Sequence, residues 1–181
     1  MPDVEFAELL AVNSPVASSR LSWMNGAMPL RLDAYFGDAM PPDDLIVSVR
    51  CIVRVGRKVL LVENSGGERH VVPGGHRNPG ETYAETALRE VHEETGWSVD
   101  PESLRQLGWL HFRQLGPLPA GSSEPHPDFV HLVLTGVGTH RDGHDWTDVE
   151  GVEISSHLVT VDEARNDATN ELHDRLFLDL I

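Results

Sequence analysis

Cysteine is almost missing from this chain. Cys51 is the only one among 181 residues, so no disulfide can close within it, which suits a reducing, cytoplasmic setting. Positive charge is also scarce. Lys and Arg number 14 against 29 Asp and Glu, and the formal net charge of -15 repels phosphate backbones, so no nucleic-acid partner is expected. Long apolar runs are lacking too: the best, "LIVSVRCIVRV", is cut by Arg50 and Arg54, so no membrane partner is expected. The opening "MPDVEFAELL" lacks the basic start of a signal peptide. Neither an internal repeat nor a low-complexity tract is present. What remains is 40% hydrophobic and 24% charged, which fits a folded domain with one core. An anionic small molecule could still bind if something positive offset the field locally, and a metal ion is the simplest candidate.

Periodicity divides the chain near "AMPPDD", where the Pro-Pro-Asp-Asp cluster reads as a boundary. Residues 1–44 form an N-terminal extension and residues 45–181 the main domain. The extension opens with a short helix over residues 3–12, and its stretch "LSWMNGAMPLRLDAYF" is too apolar for a loose tail. It is expected either to pack as a structural segment or to form a homodimer contact. In the main domain, residues 45–55 and 58–64 read as strands joined by a turn at Gly56-Arg57. Residues 70–72, 104–115, 129–139 and, weakly, 149–159 read as further strands. Ala164, Ala168, Leu172, Leu176 and Leu180 fall at helical spacing, which predicts one helix from Asp162 to Ile181. Strands and helices in this mixed order predict an α/β or α+β layered domain.

The segment "GHRNPGETYAETALREVHEETGW" concentrates carboxylates: Glu81, Glu85, Glu90, Glu93 and Glu94, with only Arg77 and Arg89 opposing them. Thr82 followed by Glu85 is a capping-box signature, and Gly96 is placed to end a helix in a left-handed turn, so a helix is expected over roughly residues 83–95. At about 100° per residue, Ala84, Ala87, Leu88, Val91 and Thr95 share one face, and Glu90, Glu93 and Glu94 share the adjoining one. A solvated face is the bland reading, with Glu93 pairing to Arg89. Two penalties weigh against it. The carboxylates sit in the helix's C-terminal half, where the macrodipole disfavours negative charge, and Glu90 and Glu94 are like charges four residues apart. A multivalent cation relieves both, and hard oxygen ligands at this density suit Mg²⁺ or Mn²⁺. The preceding "PGGHRNPGE" adds Gly74 and Gly75, which let backbone groups approach a metal or a phosphate.

Taken together, Gly75, Glu81, Arg89-Glu90-Val91, Glu93-Glu94 and Gly96 with their spacings resemble the full signature of the Nudix hydrolases, over 23 of the 181 residues. Trp97 departs from it mildly, since a smaller aliphatic is usual there, and His70 stands where an aromatic such as Trp is common. The resemblance implies a Nudix fold, a mixed β-sheet sandwiched between α-helices. It implies a metal-dependent pyrophosphohydrolase that cuts a phosphoanhydride bond in a nucleoside diphosphate linked to another group. Glu90 and Glu94 would be the core metal ligands, Glu93 a third ligand or a base, and the Gly74 carbonyl a further ligand. Arg89 would orient Glu81 or Glu93, and Gly75, His76 and Glu81 are the expected substrate-binding positions. Because the base often lies outside the signature in this family, Glu150 and Glu153 are candidates for an extra base or ligand.

Other features carry less. The His-x3-His spacing of His140 and His144 has no cysteine or flanking helix to support a zinc site. His126, in a loop, is a substrate-contact candidate, whereas His131 reads as strand packing. An isopentenyl diphosphate isomerase would need a catalytic cysteine, and Cys51 lacks such surroundings. The absence of a basic groove disfavours RNA 5′-end processing. A non-catalytic nucleotide sensor is the remaining alternative, although such proteins usually lose signature glutamates that this chain keeps.

Overall fold

The structure, a computed structural model, describes residues 4–143, 153–167 and 172–181, without the side chains of 172–174. Along the chain run α1 (Val4–Val12), β1 (Ala17–Trp23), β2 (Met28–Phe36), β3 (Ile46–Val55), β4 (Lys58–Asn64), β5 (Arg69–His70), β6 (Gly74–His76), α2 (Tyr83–Thr95), β7 (Trp97–Val99), β8 (Arg105–Gln114), β9 (Asp128–Arg141), β10 (Glu153–Thr160), α3 (Val161–Asn166) and α4 (Leu172–Phe177). This is an α+β fold, as the mixed order of patterns predicts. The chain separates into two compact units, Met1–Ser48 with Gly108–Leu132, and Val49–Leu107 with Val133–Ile181.

The first unit is built on a β1–β2 hairpin, in a stretch before Asp44 for which the sequence predicts no strand. β1 and β2 pair antiparallel from Ala17↔Ala34 to Trp23↔Met28, and Asn25 and Gly26 take φ of 54° and 94° at the turn. An Asn-Gly pair suits such a turn because both residues tolerate left-handed backbone. Along β2, Met28, Leu30 and Leu32 are buried and Pro29 and Arg31 exposed, the period-two pattern of a strand with one face inward. β2 pairs in turn with β8, from Leu30↔Gln114 to Phe36↔Gly108. Aromatic rings fill this unit: Phe112 stacks on Phe129 at 4.9 Å, and Trp23 and His131 lie against both. Phe6, the buried residue of α1, meets the edge of His111 at 5.0 Å.

In the second unit β3 turns into β4 at Gly56-Arg57, where Gly56 has φ of 61°, as expected from the sequence. β4 continues the ladder to β10, from Asn64↔Glu153 to Lys58↔Thr160. β6 pairs with β3, and β7 with β9. α2 packs against β6, β7 and β10.

Three expectations need correction. Of the predicted strand over 70–72 only His70 is strand, as the end of β5; Val71 and Val72 are buried but outside any strand, and β6 forms after them at Gly74–His76. The predicted single helix from Asp162 to Ile181 is interrupted: α3 ends at Asn166, where Asp167 is extended with ψ of 121°, and helix resumes as α4 over Leu172–Phe177. On α2, Ala84 is exposed and Thr86 buried in its place. A threonine tolerates that position because its hydroxyl donates to the Thr82 carbonyl at 3.1 Å and to Glu81 at 3.0 Å.

Candidate active site

The site grows from how α2 begins. Thr82 accepts the Glu85 amide proton at 3.2 Å, and Glu85 accepts from the Thr82 amide at 2.8 Å, so the capping box predicted from the sequence is closed in both directions. At the other end Gly96 takes φ of 70° and its amide donates to the His92 carbonyl. With both ends fixed, the rotation of every side chain on α2 is set.

Arg89 is the hub of the loop before the helix. Its guanidinium donates to Glu81 twice, at 2.7 and 2.9 Å, to Glu90 at 2.7 Å, to Glu93 at 2.9 Å and to the His76 carbonyl at 3.0 Å. That fork geometry is particular to arginine. Glu81 also accepts from the Asn78 amide and side chain. The Arg89 guanidinium holds the Glu81 carboxyl well below the usual carboxylate range, and Glu81 and its neighbours raise the Arg89 pKa further. Of the carboxylates drawn to Arg89, Glu93 is the most exposed.

Glu90 and Glu94 behave differently. Both face the Gly74-Gly75 turn. The Gly74 amide donates to Glu94 at 2.9 Å, and a methyl group at Gly75 would lie 2.6 Å from a Glu90 carboxylate oxygen. Burial pushes the Glu94 carboxyl up to about 7, against the pull of Arg50, the Gly74 amide and His70. Burial raises Glu90 as well, and Arg89 opposes it. Two desolvated carboxylates on one glycine turn are a poor arrangement for water and a suitable one for a hard cation. Among the described residues no three of His, Cys, Asp and Glu group tightly enough to hold a metal ion by themselves. The oxygen chemistry of Glu90 and Glu94 would suit a divalent ion only with further donors, and the Gly74 carbonyl stands on the same turn.

Gly74 itself has φ of 146°, and a methyl group there would run into the Val49 carbonyl and the Arg50 backbone, so the turn lies directly against β3. Gly75→Ala tests the two glycines apart. The methyl would displace the flexible end of Glu90 rather than backbone, so the fold should lose no more than about 1 kcal/mol while Mn²⁺ affinity falls about tenfold. Urea denaturation and Mn²⁺ titration read the two effects, and an unchanged affinity would place Glu90 outside the site.

Glu153 begins β10 as a buried carboxylate. His70 lies 3.3 Å from it, and its charge is close enough to raise the Glu94 pKa. Glu150 and His144 lie outside the described residues. His126 is exposed in the first unit, where its Nε2 lies 3.1 Å from the Gly116 carbonyl, and His131 is packed among aromatic rings as expected. Cys51 is fully buried, and burial pushes its thiol up to about 12. In the sequence Arg50 marks only a break in an apolar run, yet its guanidinium donates to the Gly74 carbonyl. An arginine inside an otherwise β-branched strand was the signal available.

Known proteins supply the last part of the argument. The Escherichia coli K12 protein "Phosphatase NudJ" is 39% identical over 67 residues, covering 35% of this chain and 44% of that protein. The mouse protein "Nucleoside diphosphate-linked moiety X motif 6" is 33% identical over 99 residues, covering 54% of this chain and 30% of that protein. The chain thus spans less than half the length of these curated relatives. Among solved structures, the Bacillus subtilis pyrophosphohydrolase BsRppH superposes with a TM-score of 0.55 at 26% identity, over 78% of this chain and 77% of that one. A NUDIX hydrolase from Nitrosomonas europaea reaches 0.57 at 22% identity, over 74% and 86%, and shows the shared fold. The NUDIX domain model matches residues 44–180, from the start of the β3 region through the capped helix to the C-terminal helices, and the chain belongs to the NUDIX domain family.

Proposed function

We propose that the protein is a metal-dependent pyrophosphohydrolase that cleaves a phosphoanhydride bond in a nucleoside diphosphate linked to another group. The observation that carries this reading is the convergence of Glu90 and Glu94, both desolvated, on the Gly74-Gly75 turn. The class of bond also agrees with the name of the Bacillus subtilis relative. Glu90, Glu94 and the Gly74 carbonyl would hold Mg²⁺ or Mn²⁺, with Glu93 as a further ligand or base once it leaves Arg89. Such an ion supplies neutralisation of the diphosphate oxygens and activation of water. The chain's own residues do the rest. Arg89 keeps Glu81 and Glu90 in register and holds Glu93 in reserve. Gly75 lets Glu90 close on the turn; Gly75 and His76 would contact the phosphate there, and Glu81 would serve that binding through the loop it pins. Glu153, beside Glu94, takes the role of extra base or ligand, supported by its burial and its electrostatic effect on Glu94. Residues 1–44 are read as a packed extension rather than a dimer contact, supported by the pairing of β2 with β8. The lone buried Cys51 supports a cytoplasmic place for the enzyme.

The test is release of phosphate or pyrophosphate across a panel of nucleoside diphosphate derivatives, with Mg²⁺ or Mn²⁺ and with EDTA. Turnover on at least one member, abolished by EDTA, is expected. No turnover by folded protein that binds the metal would replace this reading with that of a nucleotide sensor.

A further inference from the structure

Arg50 belongs to no part of the signature, yet it reaches the centre of the site. It lies on β3, which carries the Gly74 turn through β6 and through the Cys51 amide, a donor to the Pro73 carbonyl at 2.9 Å. Its guanidinium donates to the Gly74 carbonyl. Its charge is also near enough to act on both Glu90 and Glu94. The same three groups make up the donor set of the proposed metal site. A half-buried guanidinium and a divalent cation would therefore share one carbonyl and the field of the same two carboxylates.

The geometry points to Arg50 as a built-in counter-cation of the metal site, which sits on the Gly74 carbonyl, offsets the charge of Glu94 and, alongside Arg89, that of Glu90, and is displaced in part when the divalent ion binds. This inference rests on the metal-site reading above. Its physical content is competition. A positive charge a few ångströms from a divalent ion repels it, and in a partly buried setting that repulsion is strong. Without the ion, the same charge stabilises two carboxylates that burial otherwise penalises. Arg50 thus lowers metal affinity and raises the stability of the protein in chelator. A purely structural role, holding the Gly74 turn against β3, would have the opposite effect on affinity, because losing it would loosen the ligand.

The experiment uses the full chain as wild type, Arg50→Met, Arg50→Gln and Arg50→Lys, with Mn²⁺ titrated calorimetrically and melting followed in EDTA and in saturating Mn²⁺. The neutral variants should bind Mn²⁺ on the order of tenfold more tightly than wild type, whereas Arg50→Lys, which keeps the charge, should stay near wild type. In EDTA the neutral variants should melt below wild type, and Mn²⁺ should close that gap. Arg50→Gln can still donate to the Gly74 carbonyl, so it carries the test if Arg50→Met does not fold. Equal or weaker Mn²⁺ binding by the neutral variants, or the same melting deficit with and without Mn²⁺, overturns the counter-cation role. Failure of the underlying reading looks different: wild type then binds no Mn²⁺, or Glu94→Gln binds it as well as wild type does.

Discussion

Glu94→Gln should abolish metal-dependent turnover, by about 10³-fold or more, and at the same time make the protein in chelator more stable above neutral pH. The two effects share one cause. Glu94 is a carboxylate held in a desolvated place beside the Gly74 amide, and burial lifts its pKa from the ordinary 4.5 to about 7. An acid with a raised folded pKa keeps its proton longer in the fold than in the unfolded chain. Below 4.5 it is protonated in both states and costs nothing. Between 4.5 and about 7 the folded chain binds more protons, so stability falls as pH rises through that window. Above about 7 the destabilisation is complete, of order 3 kcal/mol. Glutamine carries no such charge, and its side-chain oxygen can still accept from the Gly74 amide. Urea denaturation in EDTA at pH 5 and pH 8 should therefore show wild type losing stability between the two, and the variant losing less. In Mn²⁺ the order should reverse, because binding stabilises only the protein that binds. A variant equal to wild type in chelator at pH 8 would show that Glu94 is not desolvated as described.

Arg89→Met should cost about 2–4 kcal/mol, because it strands carboxylates that now share one guanidinium. The side chains of Glu81 and Glu90 are only 19% and 13% exposed, so water restores part of what is lost and not all. The pH dependence supplies a second readout. The folded pKa of Glu81 is depressed, chiefly by Arg89, so its contribution is present above 4.5 and is lost as pH falls below that value. Wild type should lose stability through this acid range. Arg89→Met, having lost most of that contribution already at pH 7, should show a flatter acid limb. Arg89→Lys should recover little, because one ammonium cannot reproduce bonds to Glu81, Glu90, Glu93 and the His76 carbonyl. Turnover should fall about 100-fold through misplacement of Glu90. The decisive comparison is a double-mutant cycle with Glu81→Gln in denaturant: strictly additive losses would mean the two residues act independently, contrary to the geometry.

What could be read from the sequence was what neighbours along the chain decide. The bounds of α2, its capping box and its Gly96 terminus depend on residues within one turn of each other, and the structure reproduces them. The β3–β4 hairpin was legible for the same reason. The β1–β2 hairpin carried a local signal as well, Asn25-Gly26 between alternating residues, but Pro29 and the surrounding mixed composition obscured it. The tail shows the limit of periodicity: Ala164 to Leu180 keep helical spacing although Asp167 is extended. The place of Arg50 could not be read at all, because it depends on β3 and β6 meeting although Arg50 and Gly74 are 24 positions apart in the chain. Nor could burial be read: Glu90, Glu93 and Glu94 look alike in the sequence, but the fold sets Glu90 and Glu94 against the glycine turn, ties Glu90 and Glu93 to Arg89, and leaves Glu93 the more exposed of those two.

The family match begins at residue 44, yet β2 lies before it and contributes seven registered pairs to β8. A strand stripped of such a neighbour presents a row of free amides and carbonyls to whatever chain comes next. Trimming the protein to its family boundary would therefore unmask a sticky margin carrying Trp109, Leu110 and Phe112 on its strand, and the shortened protein should self-associate during expression. On that expectation, the segment that looks like an appendage would serve as the cover over the β8 edge, and size-exclusion chromatography of the trimmed protein reads it.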